Sequence, residues 1–306
     1  MWIILASIGA LFQSILGAIN KRNLGIVRGG INVIALVNYF TAGMALFFLS
    51  FFETGLFIPE IRNDFYFWEG IFINVPLSIV AAIFGYKALR IGEYNYISPW
   101  LAFTSLFIII PSAVFLKEVP SPLGMVGIVI VILGAIIMGY RKKRIDLTED
   151  EEKRHQNNRK ALGYLFIVGI CFSISPIGMR IAVLESTGIF VAAIVHLAMA
   201  LTFLVFVLVF DRKKFPIAFR ELDLADRKVF ILTALSAGIV MAIANGSVYV
   251  AIGMMQAPLV MAVKRIAPIF SFFIGYLLFK ETIHAKRKLV ATALMVIGTI
   301  LITIFK

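Results

Sequence analysis

Residues 258–279 read PLVMAVKRIAPIFSFFIGYLLF, an apolar run interrupted only by Lys264 and Arg265. Its length and hydropathy predict a membrane span. A Lys or Arg at the centre of a span costs ~2.5–3.5 kcal/mol on insertion scales, so such residues generally face a bundle interior or a wet cavity. Lys264 lies ~9 Å along the helix from Pro258 at 1.5 Å per residue. A flexible stem could snorkel part of that distance toward the headgroups, which is the plainer alternative. Adjacent helical residues point about 100° apart. The pair therefore predicts one cation on the solute side and one that meets carbonyls or fixes the helix. Arg offers a planar fork for carboxylate or phosphate, Lys a point charge.

The remainder of the chain fits that environment. Of 306 residues, 61% are hydrophobic and 15% charged, with mean hydropathy +0.97. Soluble domains sit near 45–50% apolar and about 25% charged, which excludes a soluble fold. The net charge of +12 then reads as basic loops on one side of a membrane, not as a nucleic-acid surface. The lone Cys171 precludes an intrachain disulfide, and no zinc spacing, redox pair or cofactor motif is present. The first apolar run lacks a basic leader region and a small-residue cleavage site, so residues 2–20 are expected to be a retained span.

Ten apolar runs satisfy the span criterion: 2–20, 31–52, 68–89, 94–116, 122–140, 161–183, 188–210, 229–252, 258–279 and 289–305. The polar stretch Arg141–Lys160 leaves five on each side. Residues 1–140 and 161–306 thus read as two repeats around a charged connector, solvated and partly helical, with a capping-box pattern from Thr148 to Glu151. An offset of 163 aligns Lys117-Glu118 with Lys280-Glu281, and Tyr86 and Ala88 with Tyr249 and Ala251. An offset of 159 aligns Ser14 with Ser173 and Lys21 with Arg180, and one of 158 aligns Glu53 and Phe57 with Asp211 and Phe215. Five spans per repeat make the second start on the opposite side, so the expected fold is all-α with inverted repeats. Charge agrees: 23 of the 29 Lys and Arg fall after spans 1, 3, 5, 7 and 9. The positive-inside rule places that face in the cytoplasm of a cell-membrane protein, with both termini outside. The stretch from Asp211 to Lys228 mixes apolar and charged residues and is expected to lie along the interface.

With these features the chain resembles the ten-span EamA-type branch of the drug/metabolite transporter superfamily. The likeness runs the whole length and is carried by PIFSFFIGYLLFKE, from Pro268 to Glu281, and by a weaker copy, LFIIIPSAVFLKE, from Leu106 to Glu118. It implies solute transport by alternating access through a cavity lined by both repeats, outward or by exchange. The Lys264-Arg265 pair is also similar to the basic doublet with which sugar-phosphate translocators hold phosphate.

Around that pair, the candidate solute-binding residues are Asn245 and Tyr249 in span eight, Gln13 and Ser14 in span one, Asn38 in span two, Trp100 and Thr104 in span four, and His196 in span seven. Each also has a helix-packing explanation, and for Asn245 the adjacent Gly246 favours close helix approach. Pro76, Pro111, Pro176 and Pro268 lie inside spans, where each removes a backbone hydrogen bond and marks a kink or hinge. No carboxylate sits at a span centre. That argues against a proton-coupled cation exporter and favours anionic or zwitterionic solutes: amino acids, organic acids or phosphorylated metabolites. An enzyme acting on lipid-linked phosphates is the alternative, yet no HExxH, GxSxG or intramembrane aspartate pair occurs. A channel or sensor is the third class. The expected partners are the bilayer and a small solute, and the glycines of span five (Gly124, Gly127, Gly134, Gly139) leave the oligomeric state open.

Overall fold

The computed structural model describes residues 1–26, 30–92, 107–139, 149–212, 223–267, 269–270 and 285–305. Among these the chain is helical and contains no strand. In order come α1 (Trp2–Ile26), α2 (Ile31–Thr54) and α3 (Asp64–Ile91). A short α4 (Ile109–Pro111) runs into a π-helical turn (Ser112–Leu116), followed by α5 (Pro122–Gly139). The second half holds α6 (Glu149–Glu185), α7 (Gly188–Phe206, extended by a π turn Val207–Asp211), α8 (Leu224–Met254), α9 (Ala257–Lys264) and α10 (Ala285–Ile304).

Six of these helices are long and apolar enough to cross a membrane, and Pro122–Ile137 and Val290–Ile302 are shorter apolar helices. Ten spans were expected. Most of the fourth expected span and the latter part of the ninth fall outside the described residues, as do Trp100, Thr104, Pro268, Lys280 and Glu281. Large side chains such as Phe40, Phe52, Phe72, Phe115 and Phe166 stay exposed on the outer surface. A soluble protein rarely shows so large an apolar surface, whereas acyl chains solvate it readily.

Helices run past the apolar windows wherever polar residues cap or continue them. Asn63 Oδ1 accepts from the Phe65 and Tyr66 amides and starts α3 several residues before the window. Asp223 does the same for α8 through the Asp226 amide at 2.7 Å, and Thr187 for α7 through Phe190. The charged connector is helical from Glu149 and continuous with the sixth span. Gly55, at φ 72°, ends α2 in the left-handed conformation and donates to the Phe51 carbonyl.

The main helix pairings are α1 with α8, α2 with α7, α3 with α6 and α5 with α10. Glycines set the closest approaches, because in lipid the attraction between helices is close packing rather than water release. Gly9 meets Ala244 and Val248, Gly43 meets Leu197, Gly70 meets Gly178, and Gly127 meets Gly298. The span-five glycines Gly127 and Gly134 thus pack against α10 within the chain.

The prolines behave differently. Pro76 and Pro176 lie inside α3 and α6, which continue past them. Pro111 instead ends regular α-helix, and the π turn leads to Lys117 at φ 55°. Lys117 is the one non-glycine residue with positive φ among those described, a strain worth ~1–3 kcal/mol.

Candidate functional site

α9 is the element on which the site turns. Ala257 through Val263 are all buried, so this short helix has no lipid-facing stripe. The helix ends at Lys264, where Arg265 and Ile266 donate to Ala262 and Val263 at 3.0 and 3.1 Å, three residues back instead of four. The sequence explains the break: Pro268 stands four residues after Lys264 and has no N–H to donate to the Lys264 carbonyl. A helix C-terminus concentrates negative partial charge, which favours a cation at Lys264.

The doublet divides as the 100° rotation requires. Arg265 is 8% exposed. Lys264 keeps part of its surface open at the end of this otherwise enclosed helix. Among the described residues, none forms a hydrogen bond or ion pair with Lys264 Nζ. Lys264 lies within electrostatic reach of the His196 imidazole.

His196 is itself built into a chain of neutral groups. Its Nδ1 lies 2.7 Å from the Ala192 carbonyl, which can only accept, so Nδ1 carries the proton. Nε2 is then free to accept from Asn245 Nδ2 at 3.0 Å. The ring lies 5.6 Å from Tyr39 and 6.3 Å from Tyr249, and Tyr39 stacks on Phe203. Thus α7 and α8 bring together His196, Asn245 and Tyr249, with Tyr39 of α2 beside them and Lys264 of α9 within electrostatic reach. Asn245, Tyr39 and Gln13 are part-exposed.

Other candidates lie around this centre. Ser14 is buried on α1 and donates to the Ala267 carbonyl at 2.7 Å, tying α1 to the chain just past the break. Asn38 is fully buried; its amide donates to Asn20 Oδ1 at 2.8 Å and to the Tyr86 hydroxyl at 2.9 Å, bridging α1, α2 and α3. The Tyr249 hydroxyl accepts from Asn74 Nδ2 at 2.7 Å. Asn74 Oδ1 in turn accepts from Ser78 at 2.8 Å and Ser175 at 2.7 Å. This second cluster sits where α3 and α6 cross, next to Pro76 and Pro176.

Sequence reading missed Tyr39, Asn74, Ser78 and Ser175. A signal existed for Asn74, an amide two residues before an intramembrane proline. The role of Lys21, Arg180 and Glu118 was also missed, although repeat alignment had marked all three. Arg180 Nε donates to Glu118 Oε1 at 2.9 Å, and its Nη1 reaches the carbonyls of Ile252 and of Gly253, the latter at 3.2 Å. Glu118 Oε2 accepts from the Ala257 amide at 3.4 Å. In the first half, Lys21 Nζ donates to the carbonyls of Leu89 at 2.5 Å and Gly92 at 2.7 Å.

No curated protein matches the sequence. A solved structure described only as "Crystal structure of protein" superposes with TM-score 0.69 over 99% of this chain and 96% of that one, at 16% identity, a likeness of fold alone. Residues 159–304 match the EamA-like transporter family. Residues 159–304 therefore form an EamA-like transporter domain, and the six long apolar helices suit a multi-pass membrane protein.

Proposed function

We propose that the protein is a secondary transporter that moves a small anionic or zwitterionic metabolite by alternating access, with ten spans arranged as two inverted five-helix repeats. Lys264 carries the reading. It is a part-exposed cation at a broken intramembrane helix, within electrostatic reach of His196, which pairs with Asn245. Discontinuous helices near the midplane are where transporters bind solutes. One accessible cation among neutral donors suits a single carboxylate better than a phosphate dianion.

The helix pairing supports the repeats. Exchanging each span with the one five places on converts α1·α8 into α6·α3 and returns α2·α7 and α5·α10 to themselves. The contacts at helix ends support ten spans. Asn32 meets Asp211, and Asn23 meets Thr233, at one face. Ser121 meets Phe305, and Ser186 meets Glu60, at the other. Gly92, held by Lys21 of the first face, and Glu118, held by Arg180 of the second, then lie on opposite faces, which calls for a crossing between them.

The test is counterflow in proteoliposomes, screening amino acids, organic acids and sugar phosphates. Lys264→Ala raises the half-saturation concentration of an anionic solute by roughly ten-fold or more, as expected for losing a charged hydrogen bond. Unchanged transport in both Lys264→Ala and Arg265→Ala rejects the assignment. Turnover of lipid-linked phosphates without any flux would favour the enzyme reading instead.

A further inference from the structure

Lys21 and Arg180 occupy equivalent places in the two halves, 159 residues apart, and do equivalent work. Lys21 sits near the end of α1 and binds the terminal carbonyls of α3, beginning at Leu89. Arg180 sits near the end of α6 and binds the terminal carbonyls of α8, beginning at Ile252, the residue that the 163 offset pairs with Leu89. A carbonyl-capping cation at each place is what two inverted copies of one device look like.

At the Arg180 end the device closes across the halves. Glu118 comes from the first half, while Arg180, Ile252, Gly253 and Ala257 come from the second. Glu118 and Arg180 together therefore pin the ends of α6 and α8 and the first amide of α9, the helix that carries Lys264. The pair is only 13% and 16% exposed, so it is little screened by solvent. Glu118 is aimed there by the π turn and the left-handed Lys117, and its amide donates to the Ser112 carbonyl at 3.2 Å. Strained backbone of this kind persists where the surroundings demand it, often at switch regions.

We propose that the Glu118–Arg180 clamp is a latch that shuts its face of the solute pathway, and that Lys21 anchors the corresponding latch at the other face. The inference rests on the alternating-access reading above. Opening one face breaks the Glu118–Arg180 ion pair and frees the start of α9 from Glu118. The sequence counterpart of Glu118 on the other side is Glu281, which lies outside the described residues.

Accessibility tests the latch without a known solute. In a Cys171→Ser background, Gln13→Cys places a single thiol on the part-exposed α1 position, and a membrane-impermeant maleimide is applied to vesicles of either orientation. Arg180→Ala and Glu118→Gln speed labelling from the clamp face by roughly ten-fold, the scale set by losing a charged hydrogen bond. Lys21→Met speeds it from the opposite face. Glu118→Asp, which keeps the charge, stays slow and controls for folding. Equal acceleration from both faces, or none in any variant, overturns the latch. Face-selective labelling with no counterflow of any solute would keep the latch and reject only the transport assignment.

Discussion

Gly70 and Gly178 face each other across the α3–α6 crossing so closely that a Cβ on either would stand 2.5 Å from the other's carbonyl oxygen. Neither backbone can retreat without opening the crossing that holds Asn74, Ser78 and Ser175. Gly70→Ala and Gly178→Ala each destabilise by ~1–3 kcal/mol, the usual range for overpacking. Gly85→Ala on the same helix meets nothing within 4 Å and is neutral or gains up to ~1 kcal/mol. Thermal midpoints in detergent compare the three; equal midpoints for Gly70→Ala and Gly85→Ala would refute the close crossing.

Asn74 satisfies three side chains at once, of which Tyr249 and Ser175 belong to the second half. Asn74→Ala leaves the buried Tyr249 hydroxyl without its donor. A double-mutant cycle with Tyr249→Phe is expected to give a coupling of ~0.6–1.7 kcal/mol, as for interhelical hydrogen bonds in membranes. A coupling of zero in chemical unfolding would mean the bond contributes nothing.

Asn245 tests the electrostatics of the candidate site. Asn245→Asp sets a carboxylate beside His196, which is itself within reach of Lys264. It should weaken uptake of an anionic solute more than Asn245→Ala does, because the new charge competes for Lys264. Initial rates for the two variants decide; a smaller loss in the aspartate variant would place Asn245 away from the solute.

Pro268 withholds a donor from the Lys264 carbonyl, and Pro268→Ala supplies it. Giving that carbonyl a hydrogen-bond donor is worth ~0.5–1.5 kcal/mol, so the unfolding midpoint rises. The turnover rate falls several-fold if the break at Lys264 must flex. An unaltered rate with a raised midpoint would make the break a static kink.

Charge distribution and the Ser121–Phe305 contact predict the topology. Alkaline phosphatase fused after residue 305 should be active outside the cell, and the same enzyme inserted within Arg141–Lys160 should be silent. The opposite pattern would reverse the orientation while leaving the inversion intact.

Helix positions were legible from hydropathy because lipid-facing and buried faces are both apolar, so each crossing prints a continuous run. Helix ends were less so, since caps such as Asn63 and Asp223 depend on single side chains outside the run. Repeat alignment found Lys21 and Arg180 as a pair, yet could not say that each caps carbonyls about 70 residues away, because that depends on tertiary packing. The doublet illustrates the same limit. Sequence placed two cations in one span; only the break of α9 shows that Lys264 retains open surface while Arg265 is enclosed. Trp100, Thr104 and Pro268 stay expectations drawn from sequence.

Every principal helix pairing joins a member of the first half to a member of the second. Among the described residues α1, α2, α3 and α5 thus each lean mainly on a helix of the second half, and during synthesis these earlier helices must reside in the bilayer as a loose array until their partners emerge. A gene split within the connector would yield a working protein only when both pieces are made together. An early stop codon would leave a fragment open to membrane quality control rather than a smaller functional unit.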